Sequence, residues 1–415
     1  MRINLNFLPS FPNSVWERPF AKLCFAYSNE TEFPEGGSPT EFGNQRDTVL
    51  AFICFLFFLA APILADEPKN KKVPDYFPPP ESKGGWRSLL PSSGDPDADQ
   101  KAKIRQLGGV DWDKLAAAAE YNRTAEGASA LLVIRHGYVV GEWYKDCNRD
   151  QNFNIYSCSK SYTSLAFGLL LADSEAGKLP NGKKLTLDTK VCNEDWLPES
   201  LPLPDPRKAD ITLRHLLTMT SGIGGEEPYP FATLEWSVGK FQGSPWSKLK
   251  GEPGTVFHYS NAGVTHLALI FRHAAGRDLL PFMKERVFEP IGIEQIRWVQ
   301  MGDNNWGQVS QGFSGILTTA REHARFMYLA LHRGQWADKQ VVPSAYYDFA
   351  CKGTQVKSEY GGLWWVHPHH PNAPKDLVQT AGFRNNHGFA VPSLDLVFIR
   401  LGPGYNYPKN FKSDL

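Results

Sequence analysis

The chain has 415 residues, of which 42% are apolar and 21% charged, and this ordinary globular balance excludes wholesale disorder. Lys and Arg total 44 and so do Asp and Glu; the zero formal charge leaves no basic face and argues against nucleic-acid binding through bulk charge. Six cysteines in so long a chain make no disulfide scaffold, and no CxxC or Cys/His zinc spacing occurs.

Residues 1–48 read as an N-terminal extension. Val49 to Leu64 (VLAFICFLFFLAAPIL) is apolar and uncharged, follows Arg46 and precedes Ala65-Asp66 as a cleavage point. It is shorter than the roughly 20 residues a full span needs, so residues 49–65 read as a signal peptide or a membrane anchor, placed unusually far into the chain. Either reading exports the remainder to a periplasmic or extracellular compartment. Residues 66–110 (EPKNKK, DYFPPPESKGG, LLPSSGDPDAD) are rich in Pro, Gly, Ser and charge and are expected to hold little fixed structure.

Trp112 to Tyr121 reads as a helix, rich in Ala and Leu. Ala130 to Tyr144 holds two strand-like runs around a His136-Gly137 turn. From Ser157 to about Val299 the pattern is helical and loop-rich, and Asp210 is the expected N-cap of a helix over Ile211–Met219. Thr319 to His332 reads as an amphipathic helix, and strand-like runs return at Leu363–Val366, Phe389–Val391 and Leu396–Arg400. Strands at both ends and helices between predict one antiparallel sheet built from residues 111–156 and 312–402, with a helical part over about 160–310.

The stretch Tyr156-Ser157-Cys158-Ser159-Lys160 opens the apolar run SLAFGLLLAD. A Ser and a Lys three residues apart on a helix share one face. A serine hydroxyl needs a base, and a lysine serves as one only when neutral, a state that burial favours. A helix apolar all round from Leu165 is a buried one, with Lys160 in its first turn. Ser-x-x-Lys alone is a weak signal; it recurs as Ser237/Lys240 and Ser247/Lys250 in a polar stretch. A second element is Tyr259-Ser260-Asn261, after Pro253-Gly254, where a Tyr can relay a proton and an Asn can orient the Lys. The same tripeptide at Tyr27-Ser28-Asn29 lies before the apolar run.

Taken with LLVIRHGYVVGEWY, ITLRHLLTMTSGI, PGTVFHYSNAG, GFSGILTTAREHARFMYLAL, YGGLWWV and VPSLDLVFIRLG, in that order between Leu131 and Gly402, these motifs resemble the serine β-lactamase and penicillin-binding protein family, in the branch of class C β-lactamases, D,D-peptidases and related esterases. The resemblance implies an α/β (α+β) fold of the β-lactamase/transpeptidase type, an antiparallel sheet flanked by helices plus a helical domain, over residues 111–415. It implies Ser157 as acylated nucleophile, Lys160 as general base, Tyr259 in the proton relay and Asn261 as an orienting residue. The third motif of the family, Lys-Thr-Gly or a His/Gly variant, falls nearest Thr380-Ala381-Gly382-Phe383, so Gly382 and Phe383 would edge the cleft, with the Ser157 and Phe383 N–H groups holding an oxyanion. No Lys or His stands first in that motif; Arg384, just after it, can supply positive charge for substrate. The family carries a last helix beyond the position of Gly402, so the resemblance also implies a less covered sheet here.

The expected function is an exported serine hydrolase of an ester or amide, with a small-molecule ester, amide or peptide substrate, no cofactor and no metal. A penicillin-binding D,D-peptidase or β-lactamase is the second expectation, and a non-catalytic cell-wall sensor with the same fold is the third. The remaining candidates have bland readings: His367-Pro368-His369-His370 as a surface loop, Gly312-Phe313-Ser314-Gly315 as a turn one residue short of a nucleophile elbow, and His215 as a packed or capping residue. Cys158 reads as a small core residue beneath the cleft, Trp364-Trp365 as strand packing, and Asn122-Arg123-Thr124 as a sequon without weight.

Overall fold

A computed structural model describes residues 76–123, 127–225, 237–240, 243–303 and 307–403. Residues 1–75, including the apolar run, Cys24 and Tyr27-Ser28-Asn29, lie outside the described residues. In chain order come α1 (Ala98–Gly108), α2 (Trp112–Arg123), β1 (Ser129–Arg135), β2 (Tyr138–Lys145), β3 (Phe153–Asn154), α3 (Ser159–Glu175), α4 (Leu213–Leu217), α5 (Asn261–Ala275) and α6 (Leu279–Met283). They are followed by β4 (Ile296–Trp298), β5 (Gln300–Asp303), β6 (Gly307–Ser310), β7 (Ile316–Thr318), α7 (Ala320–Leu331), β8 (Gln335–Trp336), β9 (Lys339–Gln340), α8 (Ser344–Ala350), β10 (Trp365–Val366), β11 (Val378–Gly382), β12 (Asn386–Val391) and β13 (Leu396–Leu401).

The main sheet has the order β10-β11-β12-β13-β1-β2, every pair antiparallel, so strands from both ends of the chain meet at β13 and β1, where Leu132 lies opposite Ile399. His136 and Gly137, at φ 52° and 70°, turn β1 into β2 with the twist a tight hairpin needs. α2 covers one face, with Trp112 stacked on Trp143 and Leu115 against Gly141. α7 crosses the other, where Arg321 grips Glu142 and His323 and Met327 lie on Gly388. The helical part packs α3 against α5 and α6 through Phe167, Phe271 and Phe282. Ser159 to Leu170 of α3 is buried on all sides, as its apolar run requires.

Three local expectations are corrected. The stretch 66–110 was expected to hold little fixed structure, yet from Tyr76 onward it is ordered. Phe77 packs on Tyr328, His332 and Trp336, the carbonyls of Pro78 and Pro79 accept from the fully buried Arg325, and Glu81 pairs with Arg321 and Arg325. α1 then forms under a reciprocal Asp97/Gln100 cap. Prolines carry unblocked carbonyls, so a Pro-rich segment can serve as a strap of acceptors over buried arginines. Second, α7 has no solvated face: every residue from Ala320 to Leu331 is buried, because the strap and the sheet satisfy its charged side. Third, the cap of α4 is Thr212 rather than Asp210, which ion-pairs Lys190; Thr212 and His215 bond each other's backbone N–H, giving His215 the capping role.

Cys147, Cys158, Cys192 and Cys351 are free thiols. Asn122 of the sequon is buried. Among the described residues no helix is long and apolar enough to cross a membrane.

The Arg321–Glu142 pair makes stability depend on pH. Burial pushes the Glu142 carboxyl up, but the Arg321 hydrogen bond and charge, with the Tyr144 hydroxyl, outweigh it and hold the group below the ordinary carboxylate range. A carboxyl lowered on folding stabilises above its unfolded pKa, and that contribution disappears as pH falls through the folded value. Thermal unfolding of the wild type is therefore expected to fall more steeply on acidification below about pH 4 than that of Glu142→Gln. Parallel slopes for the two proteins would contradict this.

Candidate active site

Ser157 stands on a single 3-10 turn, Tyr156–Cys158, that runs directly into α3. Tyr156 holds φ 47°, the left-handed region that side chains seldom adopt, and the turn is pinned to keep it there. Tyr156 N–H donates to Asn154 Oδ1 at 2.9 Å, and Ser159 Oγ donates to the Tyr156 carbonyl at 2.6 Å while accepting from Ile316 N–H.

Lys160, in the first turn of α3, is 1% exposed. Its Nζ lies 2.9 Å from Ser157 Oγ, 2.5 Å from Asn261 Oδ1 and 3.0 Å from the Phe313 carbonyl oxygen. Asn261 is the first residue of α5, whose cap Ser260 accepts from Gly263 N–H. Nζ also stands 4.7 Å from the centroid of the Tyr259 ring and 5.7 Å from that of Phe313. Tyr259 is held from behind by Trp365, stacked at 5.9 Å, and edge-on by Tyr360 at 6.0 Å. Trp365 thus supports the site, whereas Trp364 is core, stacked on Phe326.

The end of β11 closes the other side. A Cβ on Gly382 would lie 2.2 Å from the Ile155 carbonyl oxygen and 3.2 Å from Cys158 N, so glycine alone lets this strand abut the Ser157 turn. Phe383 meets Tyr156 edge-on at 5.4 Å. Arg384 and Asn385, at φ 61° and 59°, turn β11 into β12. The half-buried Arg384 guanidinium makes no hydrogen bond or ion pair among the described residues.

The structure therefore gathers Ser157, Lys160, Tyr259 and Asn261 at one point, sets Gly382 and Phe383 beside the Ser157 turn, and places Arg384 on the turn beyond. Burial pushes the Cys158 thiol up to about 12, and its Sγ donates to the Asn386 carbonyl, so it is an inert neighbour. His367 bonds Gln379, and no group of His, Cys, Asp and Glu among the described residues is arranged to hold a metal ion. Sequence reasoning missed the Phe313 carbonyl, because a main-chain acceptor has no residue signature. It also missed the turn-pinning Asn154, which its position two residues before Tyr156 could have flagged as a local side-chain turn.

Comparison with known proteins identifies the family and the fold. The family model described as Beta-lactamase matches residues 112–402. Penicillin-binding protein 4* of Bacillus subtilis is 28% identical over 198 residues, which is 45% of this chain and 40% of that protein. The octameric penicillin-binding protein homologue of Pyrococcus abyssi superposes with a TM-score of 0.54 at 20% identity, covering 72% of this chain and 74% of its own. EstCE1, a hydrolase with promiscuous acyltransferase activity, superposes with a TM-score of 0.53 at 18% identity, covering 73% and 94%. At these identities the two superpositions establish a shared fold.

Gly382→Ala tests whether the approach of β11 matters to the serine. The added methyl must push the strand off the Ser157 turn, and a displacement near 1 Å at a reacting centre costs about 100-fold. Hydrolysis of p-nitrophenyl acetate is expected to slow by about that factor. An unchanged rate in a folded variant would separate β11 from the chemistry.

Proposed function

We propose that this chain, which belongs to the β-lactamase family, hydrolyses an ester or small amide through an acyl-enzyme on Ser157, with Lys160 as base and Tyr259 in the proton relay. The observation that carries the reading is the setting of Lys160 Nζ. Asn261 Oδ1 and the Phe313 carbonyl can only accept hydrogen bonds. In a neutral amine they take two N–H bonds, which leaves the lone pair for the Ser157 hydroxyl 2.9 Å away.

In the acylation half, the Ser157 proton passes to Lys160, Oγ bonds to the substrate carbonyl carbon, and the oxyanion is held by backbone N–H groups of Ser157 and Phe383. Collapse breaks the bond to the leaving alcohol or amine, which departs with the proton returned through Lys160 and Tyr259. In the second half, Tyr259 activates a water that attacks the acyl carbon, releasing the acid and restoring Ser157. Half-buried aromatic rings lie about the site, Phe383 against Tyr156 next to Ser157 and Tyr259 beside Lys160 Nζ, which favours an uncharged acyl group. The Arg384 guanidinium, without a hydrogen bond or ion pair among the described residues, favours a carboxylated substrate, as in a D,D-peptidase or β-lactamase; a stable penicillin adduct on Ser157 would decide for that second reading. Export of the domain is proposed from the apolar run Val49 to Leu64 alone.

Ser157→Ala and Lys160→Ala are each expected to lower kcat for a p-nitrophenyl ester by at least about 100-fold, and the double variant to be no worse than the single ones, because the pair acts as a unit. Substantial turnover retained in either single variant would refute the assignment.

A further inference from the structure

We propose that His323 is a positioning residue that ties the strand edging the cleft to the helix bearing the nucleophile, through hydrogen bonds to Thr380 on β11 and Tyr162 on α3. The inference rests on the acyl-transfer reading above and assigns residues that reading does not use.

His323 lies on α7, buried beneath both elements. Its Nδ1 is 2.8 Å from Tyr162 Oη and its Nε2 is 3.1 Å from Thr380 Oγ1. Tyr162 lies five residues past Ser157 on the continuous turn and helix, and Thr380 two residues before Gly382, whose Cα abuts the Ser157 turn. One imidazole therefore spans the two elements whose spacing sets Ser157 against Phe383.

The tautomer follows from counting donors. Thr380 Oγ1 accepts from Gly388 N–H at 3.0 Å and directs its own proton toward the Gly388 carbonyl at 3.4 Å. The one acceptor that the Tyr162 hydroxyl meets among the described residues is Nδ1, so the imidazole proton sits on Nε2 and is donated to Thr380 Oγ1. Nδ1 is then the acceptor, and Tyr162 gives it the phenolic proton, so each polar atom of the chain is satisfied without a charge. Burial agrees, holding the imidazole pKa down at about 3 and pushing the Tyr162 hydroxyl well above its usual value. Gly388 is glycine for the same reason: a Cβ there would lie 2.6 Å from His323 Nε2.

A residue that merely fills the core would change stability and leave the chemistry alone. A positioning residue changes kcat. With a p-nitrophenyl ester and Ser157→Ala as background, Thr380→Val and His323→Leu are expected to lower kcat by about 10- to 100-fold with KM unchanged. The Thr380→Val/His323→Leu double variant should be no lower than the worse single one, since both cut the same link. His323→Gln, whose amide offers one acceptor and one donor, should recover part of the rate. If His323→Leu does not fold, Tyr162→Phe together with Thr380→Val reads the same link. Unchanged kcat in these variants with Ser157-dependent turnover intact, or losses that multiply in the double variant, would overturn the positioning role and spare the acyl-transfer reading. Wild-type turnover that does not depend on Ser157 would overturn both.

Discussion

The site depends on one amine held out of water. Lys160 Nζ is met by hydrogen-bonding groups from three separate segments: the hydroxyl on the Ser157 turn, the Asn261 amide oxygen at the start of α5, and the Phe313 carbonyl in the loop before β7. Leaving a buried amine unpaired would be costly, so the three segments must meet there for the protein to fold with that lysine in place. The same convergence puts the serine hydroxyl where an amine lone pair can take its proton. On the proposed reading, the structural requirement of a buried polar group and the chemical requirement of a base are met by one set of contacts.

A second set of buried polar groups holds the scaffold. α7 runs beneath the main sheet with Arg321, Glu322, His323 and Arg325 all buried; Arg321 and Arg325 pair with Glu142 and Glu81, and Glu322 Oε1 accepts from the Glu294 and Gln295 N–H groups. Arg321 reaches Glu142 on β2, Arg325 reaches the Pro78–Glu81 strap, and His323 reaches β11 and α3. The helix thus connects the N-terminal strap, the far edge of the sheet and the cleft strand. That is why a segment rich in proline is ordered here and why the fold does not begin at Trp112.

Much of this was legible in the residues. The alternating runs either side of His136-Gly137, and those near the end of the chain, gave one antiparallel sheet from both termini, and the apolar run after Lys160 gave a buried helix. Ser157, Lys160 and Asn261 stood out as candidates through their side-chain chemistry, and the family resemblance, rather than the spacing, gave them their expected roles. The residue pattern alone did not give β11, because Gln379 and Thr380 break an apolar run, their polar atoms being satisfied by His367, His387, His323 and Gly388; the family resemblance is what set Thr380–Phe383 at the cleft edge. α7 read as amphipathic because periodicity cannot tell a face turned to water from one turned to buried partners. The strap failed for the related reason that composition reports how few apolar groups a segment has and says nothing of acceptors it can offer. The Phe313 carbonyl was beyond reach, since any residue could supply it.

The claim at the centre of this account is that the hydroxyl of Ser157, and no other group, receives the acyl group. Intact-mass analysis of the protein after brief exposure to an activated p-nitrophenyl ester, quenched in acid and followed by peptide mapping, measures this directly. The account predicts a single acyl increment carried by the peptide containing Ser157 and absent from Ser157→Ala. An increment on another residue, or one that persists in Ser157→Ala, would contradict it.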